Sequence, residues 1–159
     1  MELTRHFTAT VYLVNDGAVA LHRHPKLDIR LPPGGHVDRD ELPHEAALRE
    51  AHEETGLDAR LVDDTDPVPA PDGETLPDPR HTVLYDIDTL DGRVAHQHVD
   101  MVYFAAVDSR AVDPAGDDEE PAAAWAWYTP AELREADVDP DTVQIGIEAV
   151  ETVGAAVGE

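Results

Sequence analysis

Apolar and polar residues alternate from Phe7 to Val11 at the start of the run FTATVYLV, which extends to Val14, and a second run, AVALHRH, spans Ala18 to His24, with Asn15-Asp16-Gly17 between them. Both runs predict strands, and the intervening residues suit a tight turn, so together they predict a hairpin. In its second strand Val19, Leu21 and Arg23 share one face and Ala20, His22 and His24 the other, with His22 and His24 expected at the surface. From Pro43 to Thr55 the period changes. Ala47, Leu48, Ala51 and Thr55 recur on one arc, which predicts a helix with a packing side. Ala59 to Val62 reads as a short strand, and His81 to Asp88 and Val99 to Val107 as a strand pair joined around Asp91-Gly92. Trp125 to Tyr128 follows as a strand. Thr129-Pro130-Ala131-Glu132 has the form of a capping box that opens a short helix. Asp139-Pro140 opens the last helix, where Val143, Ile147 and Val150 predict the buried stripe. Asp63 to Pro79 is too long for a simple connection. It is either a substrate-side loop or a solvated insertion. This order of elements predicts a mixed α/β fold in a single domain over residues 1–159.

Composition narrows the picture. Thirty-five Asp and Glu face 11 basic residues, a net charge of −24. Such a surface repels itself at ordinary salt, and the repulsion is screened when molar salt shortens the Debye length to about 3 Å. The composition resembles that of halophiles with a salt-rich cytosol. A hydrophobic share of 42% argues against an acidic disordered chain. Nucleic-acid binding through a basic surface is excluded on charge. There are no cysteines for disulfides or thiolate metal sites. MELTRHFTAT lacks the apolar core of a secretory signal, and no apolar run approaches a membrane span, so a cytoplasmic protein is expected.

Gly35 to Leu57 carries the chemistry. Gly35, Glu41, Arg49, Glu50, Glu53, Glu54 and Gly56 fall at the spacing G-x5-E-x7-R-E-x-x-E-E-x-G. On a helix over 43–55, Glu50, Glu53 and Glu54 lie within an arc of about 100°. Like charges at these spacings cost roughly 0.2–0.5 kcal/mol per pair, so three on one arc call for a cation. Mg2+ suits oxygen ligands and keeps waters that a phosphate can replace. Arg49 is within ion-pair reach of Glu45 and Glu53. Gly56 suits a left-handed cap, and Leu31-Pro32-Pro33-Gly34-Gly35 allows close backbone approach to a ligand. Leu42 is a poor residue for the helix N-cap. A merely solvated acidic helix would not need this spacing.

The segment resembles the Nudix box, G-x5-E-x7-R-E-U-x-E-E-x-G-U with U aliphatic, Ala51 and Leu57 filling the U positions. The preceding hairpin, LPPGG, the later strand pair and the aromatic strand before T-P-x-E-L extend the resemblance over most of the chain. It implies the Nudix fold, a mixed β-sheet sandwiched between α-helices. It implies hydrolysis of the pyrophosphate bond of a nucleoside diphosphate linked to another moiety, with Mg2+ or, as a substitute, Mn2+. By resemblance Glu53 and Glu54 are principal metal ligands and Glu50 binds metal or assists as base. Glu41 is a supporting acid, Arg49 orients the carboxylates, and the Gly35 carbonyl joins the metal shell.

Outside the box, Glu119 and Glu120 in the loop before the aromatic strand are candidates for a general base, against a plain surface role. His96, His98 and Asp100 alternate on one strand face and could line a substrate pocket or a partly exposed strand end. Arg23 and Arg30 could hold phosphate. Trp125 and Trp127 could stack a base, with core packing the stronger reading. A non-catalytic nucleotide-binding or regulatory domain of the same fold is the second reading, and an isomerase of diphosphate esters a third. The expected partner is a small-molecule pyrophosphate. The substrate and the oligomeric state stay open, a homodimer included.

Overall fold

The computed structural model describes residues 3–25, 28–90 and 92–157. Strand β1 (Thr4–Asn15) turns at Asp16 and Gly17 into β2 (Ala18–His24). Asn15 pairs with Ala18, and both turn residues have positive φ (44° and 78°), the two-residue geometry that matches strand twist. The rest of the sheet comprises β3 (Ile29–Leu31), β4 (Gly34–His36), β5 (Arg60–Leu61), β6 (His81–Leu90), β7 (Arg93–Ala106) and β8 (Trp125–Tyr128). β1 and β7 run parallel in the middle, in register from Thr4↔His96 to Val14↔Ala106. β4 pairs with β1, β6 with β7, and β8 with β2, all antiparallel, so the sheet is mixed. β7 starts six residues before the Val99 expected from hydrophobicity, because the ladder with β1 and β6 satisfies the backbone whatever the side chains are. Asp91 of the expected turn lies outside the described residues.

Helix α1 (Pro43–Thr55) covers one face of the sheet, and α2 (Pro130–Glu135) and α3 (Pro140–Ala156) cover the other. Alternation assigns the faces. Val11, Leu13, Tyr103 and Ala105 pack with Ala46, Ala47 and Ala51 of α1. Tyr12, Val14, Val102 and Phe104 pack with Leu133 of α2 and with Ile145, Ala149 and Val153 of α3. The small residues of α1 bring its backbone close to the sheet, which anchors the box helix rigidly.

Two expectations are corrected here. The buried stripe of α3 is Thr142, Ile145, Gly146, Ala149 and Val153, whereas Val143, Ile147 and Val150 flank it half-buried. Close packing against α2 selects the small residues, since a Cβ on Gly146 would lie 2.9 Å from Leu133 Cδ1. His22 is 7% exposed and not at the surface. β8 pairs with β2 and lays Trp125 beside it, with ring centroids 4.8 Å apart.

The end of α1 is closed by the acidic loop between β7 and β8. Asp113 N–H donates to Thr55 O (2.8 Å), and Ala115 and Gly116 N–H both donate to Glu53 O (3.0 and 2.9 Å). These bonds satisfy carbonyls that a helix end leaves unpaired. Gly56 is left-handed at φ 72°, and a Cβ there would sit 2.0 Å from Asp113 O. Gly56→Ala is therefore expected to cost about 1–2 kcal/mol in backbone strain and a comparable amount in displacing the loop. Urea unfolding at fixed salt checks this; an unchanged midpoint would contradict the loop placement.

Candidate active site

The helix starts without a side-chain cap at Leu42, but Glu45 Oε1 accepts from Leu42 N–H (2.9 Å), which holds the first turn. Glu45 is thus a capping residue, whereas Arg49 pairs with Glu53 as expected and with two further carboxylates. Its Nε and Nη2 grip Glu41 in a fork (2.6 and 2.9 Å), and Nη1 reaches Glu50 (3.0 Å) and Glu53 (3.1 Å). Nη2 also donates to His36 O at 3.2 Å. The Arg49 hydrogen bonds hold Glu41 below the usual carboxylate range. The same carboxylates hold Arg49 even more firmly protonated than usual. One guanidinium thus fixes three box carboxylates, a use that suits its planar fork.

Glu54 points to the glycine pair. Its Oε2 accepts from Gly34 N–H at 2.9 Å. A Cβ on Gly34 would meet Ala9 O at 2.6 Å, and one on Gly35 would meet Glu50 Oε1 at 2.5 Å. The two glycines let β4 lie against β1 on one side and against the carboxylates on the other. Glu119 arrives from the docked loop. A Cβ on Gly116 would be 3.0 Å from Glu119 Oε1 and 3.1 Å from the Glu53 Cβ.

Four carboxylates, Glu50, Glu53, Glu54 and Glu119, therefore converge. Burial, with repulsion from Glu50, Glu119 and Glu53, pushes Glu54 up to about 8 against the opposing Gly34 bond. Burial also raises Glu50 and Glu119, with neighbouring acids adding to it. Arg49 alone does not balance this charge. The donor set is all oxygen and partly desolvated, which fits a hard divalent cation.

A pH dependence follows. In the metal-free chain Glu54 keeps its proton up to about 8, while the unfolded chain releases it near 4.5, the ordinary glutamate value. The folded state binds more protons across that window, so stability falls as pH rises through it and levels off above about 8. Thermal melts with chelator should show the fall, and Glu54→Gln should flatten it. A wild-type melting temperature that rises across the window would contradict the placement of Glu54.

The other sequence candidates separate. Glu120 lies toward His22, whose burial lowers its proton affinity while Glu120 opposes the shift. Asp100 is buried, with its oxygens taken by Thr8 Oγ1 and Thr10 Oγ1 (each 2.9 Å). His96, His98 and Asp100 share one face, as alternation requires, but it is the face that carries Val102 and Phe104, opposite α1. Arg23 donates to Asp28 (2.7 Å), and Arg30 to Asp137 O (3.1 Å) between α2 and α3. The structure does not bring these five to the carboxylates. Trp125 packs in the core on the α1 side, and Trp127 donates to Arg110 O at 3.2 Å. The loop over 63–79 is largely exposed and held by its own bonds, such as Val68 N–H to Thr75 Oγ1 (2.7 Å).

A cavity of about 650 Å3 adjoins the site at Glu41 and is lined also by Arg5, His6, His36, Arg39 and Met101. Arg5 and Arg39 are the cations that sequence reasoning missed. Arg39 lies inside the box at a position the spacing leaves free, and Arg5 precedes the first hydrophobic run, so neither carried a signal.

Among the described residues no helix is long and apolar enough to cross a membrane. The NUDIX domain family model matches residues 4–145. A NUDIX-family hydrolase from Clostridium perfringens is 32% identical, with 95% of this chain and 99% of that one covered and a TM-score of 0.79. A MutT NUDIX hydrolase from Burkholderia pseudomallei is 23% identical over 92% and 98%, with a TM-score of 0.62. An Ap4A hydrolase from C. elegans is 19% identical over 98% and 98%, with a TM-score of 0.55. No protein of curated function matches. The chain belongs to the Nudix hydrolase family. Its chemistry is hydrolysis of pyrophosphate bonds, in a family that uses divalent metal.

Proposed function

We propose that this chain is a Mg2+-dependent hydrolase, with Mn2+ as a substitute, that cleaves the pyrophosphate bond of a nucleoside diphosphate linked to another moiety. The observation that carries the reading is the convergence of Glu50, Glu53, Glu54 and Glu119, the first two of them held by the Arg49 guanidinium. Glu50, Glu53 and Glu54 would hold the metal, joined by the Gly35 carbonyl beside Glu50. When bound, the metal supplies charge neutralisation on the anhydride and a more acidic water. Arg49 keeps Glu50 and Glu53 aimed and Glu41 ionised. Glu119, which the docked loop brings beside Glu53, would take the proton of the attacking water, and its raised proton affinity supports that role. Glu120, turned toward His22, is the weaker candidate for that role. Arg5 and Arg39, which line the cavity beside Glu41, are better placed than Arg23 and Arg30 to meet substrate phosphate.

The test is a panel of nucleoside triphosphates, oxidised nucleotides, ADP-ribose, dinucleotide cofactors, sugar nucleotides and dinucleoside polyphosphates in molar KCl with Mg2+. Release of a nucleoside monophosphate or phosphate from a member of the panel is expected. Binding without turnover across the panel would leave the nucleotide-binding domain as the better reading.

A further inference from the structure

Four histidines gather on the sheet face opposite α1, beside the cavity that reaches Glu41. His6 on β1 and His98 on β7 are paired across the parallel ladder, and His96 precedes His98 on the same face. His36 on β4 pairs with Thr8, which brings it to the other side of His6. The rings touch edge to face, with centroids 5.2 Å apart for His6–His36, 4.6 Å for His6–His96, 5.1 Å for His36–His98 and 5.0 Å for His96–His98. Hydrophobic packing does not explain such a group, since His6 and His36 are exposed. Protonated imidazoles at this spacing would repel one another.

We propose that His6, His36 and His96 form a binding site for a borderline divalent transition ion of the Zn2+ type, separate from the carboxylate cluster. One candidate ligand atom from each of the three lies within 4.8 Å of the others. His6 Nδ1 and His36 Nε2 are 3.4 Å apart. Two nitrogens bound to Zn2+ at about 2.0–2.1 Å in a tetrahedron stand roughly 3.3 Å apart, so this pair is already spaced for coordination. The third ligand is oriented from outside. Thr4 Oγ1 lies 3.3 Å from Ala95 O and 2.8 Å from His96 Nδ1; with its one proton on Ala95 O it accepts from His96 Nδ1–H. That bond places the free lone pair of His96 on Nε2, the arrangement by which an outer hydrogen bond prepares a histidine ligand. Imidazole nitrogen selects Zn2+, Ni2+ or Cu2+ over Mg2+. The three ligands come from three strands, so a bound ion would tie β4, and with it Gly34 and Gly35, to β1 and β7. The proposal does not rest on the hydrolase reading.

The test uses the untagged, chelator-stripped full chain with excess Mg2+ to fill oxygen sites. Calorimetric titration with Zn2+ alone should show one equivalent bound, and Co2+ should give the intense visible bands of a tetrahedral nitrogen site. Zn2+ should raise the melting temperature of the wild type. His6→Ala and His36→Ala should abolish these signals, and Thr4→Val should weaken binding about 10–100-fold. Glu53→Gln with Glu54→Gln should leave them in place, which separates this site from the carboxylates. His6 is exposed, so its substitution keeps the test valid if His36→Ala does not fold. The proposal is overturned if the stripped wild type takes up no Zn2+. It is equally overturned if His6→Ala binds as the wild type does, or if binding is lost with the two glutamates.

Discussion

Glu53→Gln and Glu54→Gln are each expected to lower turnover by about two to three orders of magnitude, the scale on which one preorganised charge-stabilising group acts. The two should differ in stability. Glu53 is half-exposed and accepts from Arg49 Nη1 at 3.1 Å, so its loss leaves one of several partners of a well-paired guanidinium. Glu54 is pushed up to about 8 in the metal-free chain, so the neutral amide removes the cost of ionising it, and the stabilisation should be absent below about 4.5, grow as pH rises and level off above about 8. An amide oxygen can still accept the Gly34 N–H bond, so the local fold is retained. Steady-state rates paired with chelator-stripped melts separate the two effects. Near-normal turnover in both variants would show that the metal is held elsewhere.

The melting temperature is expected to rise by about 10–20 °C between about 0.1 M and 1 M KCl. The cause is the net charge of −24. For a charged sphere of roughly 20 Å radius, screened Coulomb repulsion in the folded state falls by on the order of 10 kcal/mol over that range, and by far less in the expanded unfolded chain. Protons and counterions taken up by crowded carboxylates absorb part of the change. Several kcal/mol remain, a large share of an ordinary domain's 5–15 kcal/mol. Sorbitol at equal osmotic strength should not substitute for salt. A melting temperature independent of KCl would contradict the salt-adapted reading of the composition.

What could be read from the sequence depended on how local the cause was. The β1–β2 turn, the α1 limits and the Thr129 capping box were legible, because each is set by neighbours within a few residues. So were Glu50, Glu53 and Glu54, whose facing follows from helical phase alone. The packing stripe of α3 was misread, because three valines and isoleucines outweighed Gly146 and Ala149, which the contact with Leu133 selects. His22 was misplaced because its cover, Trp125, is more than a hundred residues away. The His6, His36 and His96 group joins three separate strands, and only the parallel β1–β7 ladder brings it together. Glu119 was one acid among many in its loop until the bonds from Ala115 and Gly116 to Glu53 O set that loop on the helix end. On so acidic a chain, composition hides the functional acids, and spacing or contact reveals them.

The most direct test is turnover in H2 18O with a hydrolysed member of the nucleotide panel. The account predicts one 18O atom in a phosphate-containing product per bond cut, loss of turnover on chelation, and its return with Mg2+. Turnover that survives complete chelation, or that places no label on phosphorus, would contradict water attack on a pyrophosphate at the Glu50, Glu53 and Glu54 site.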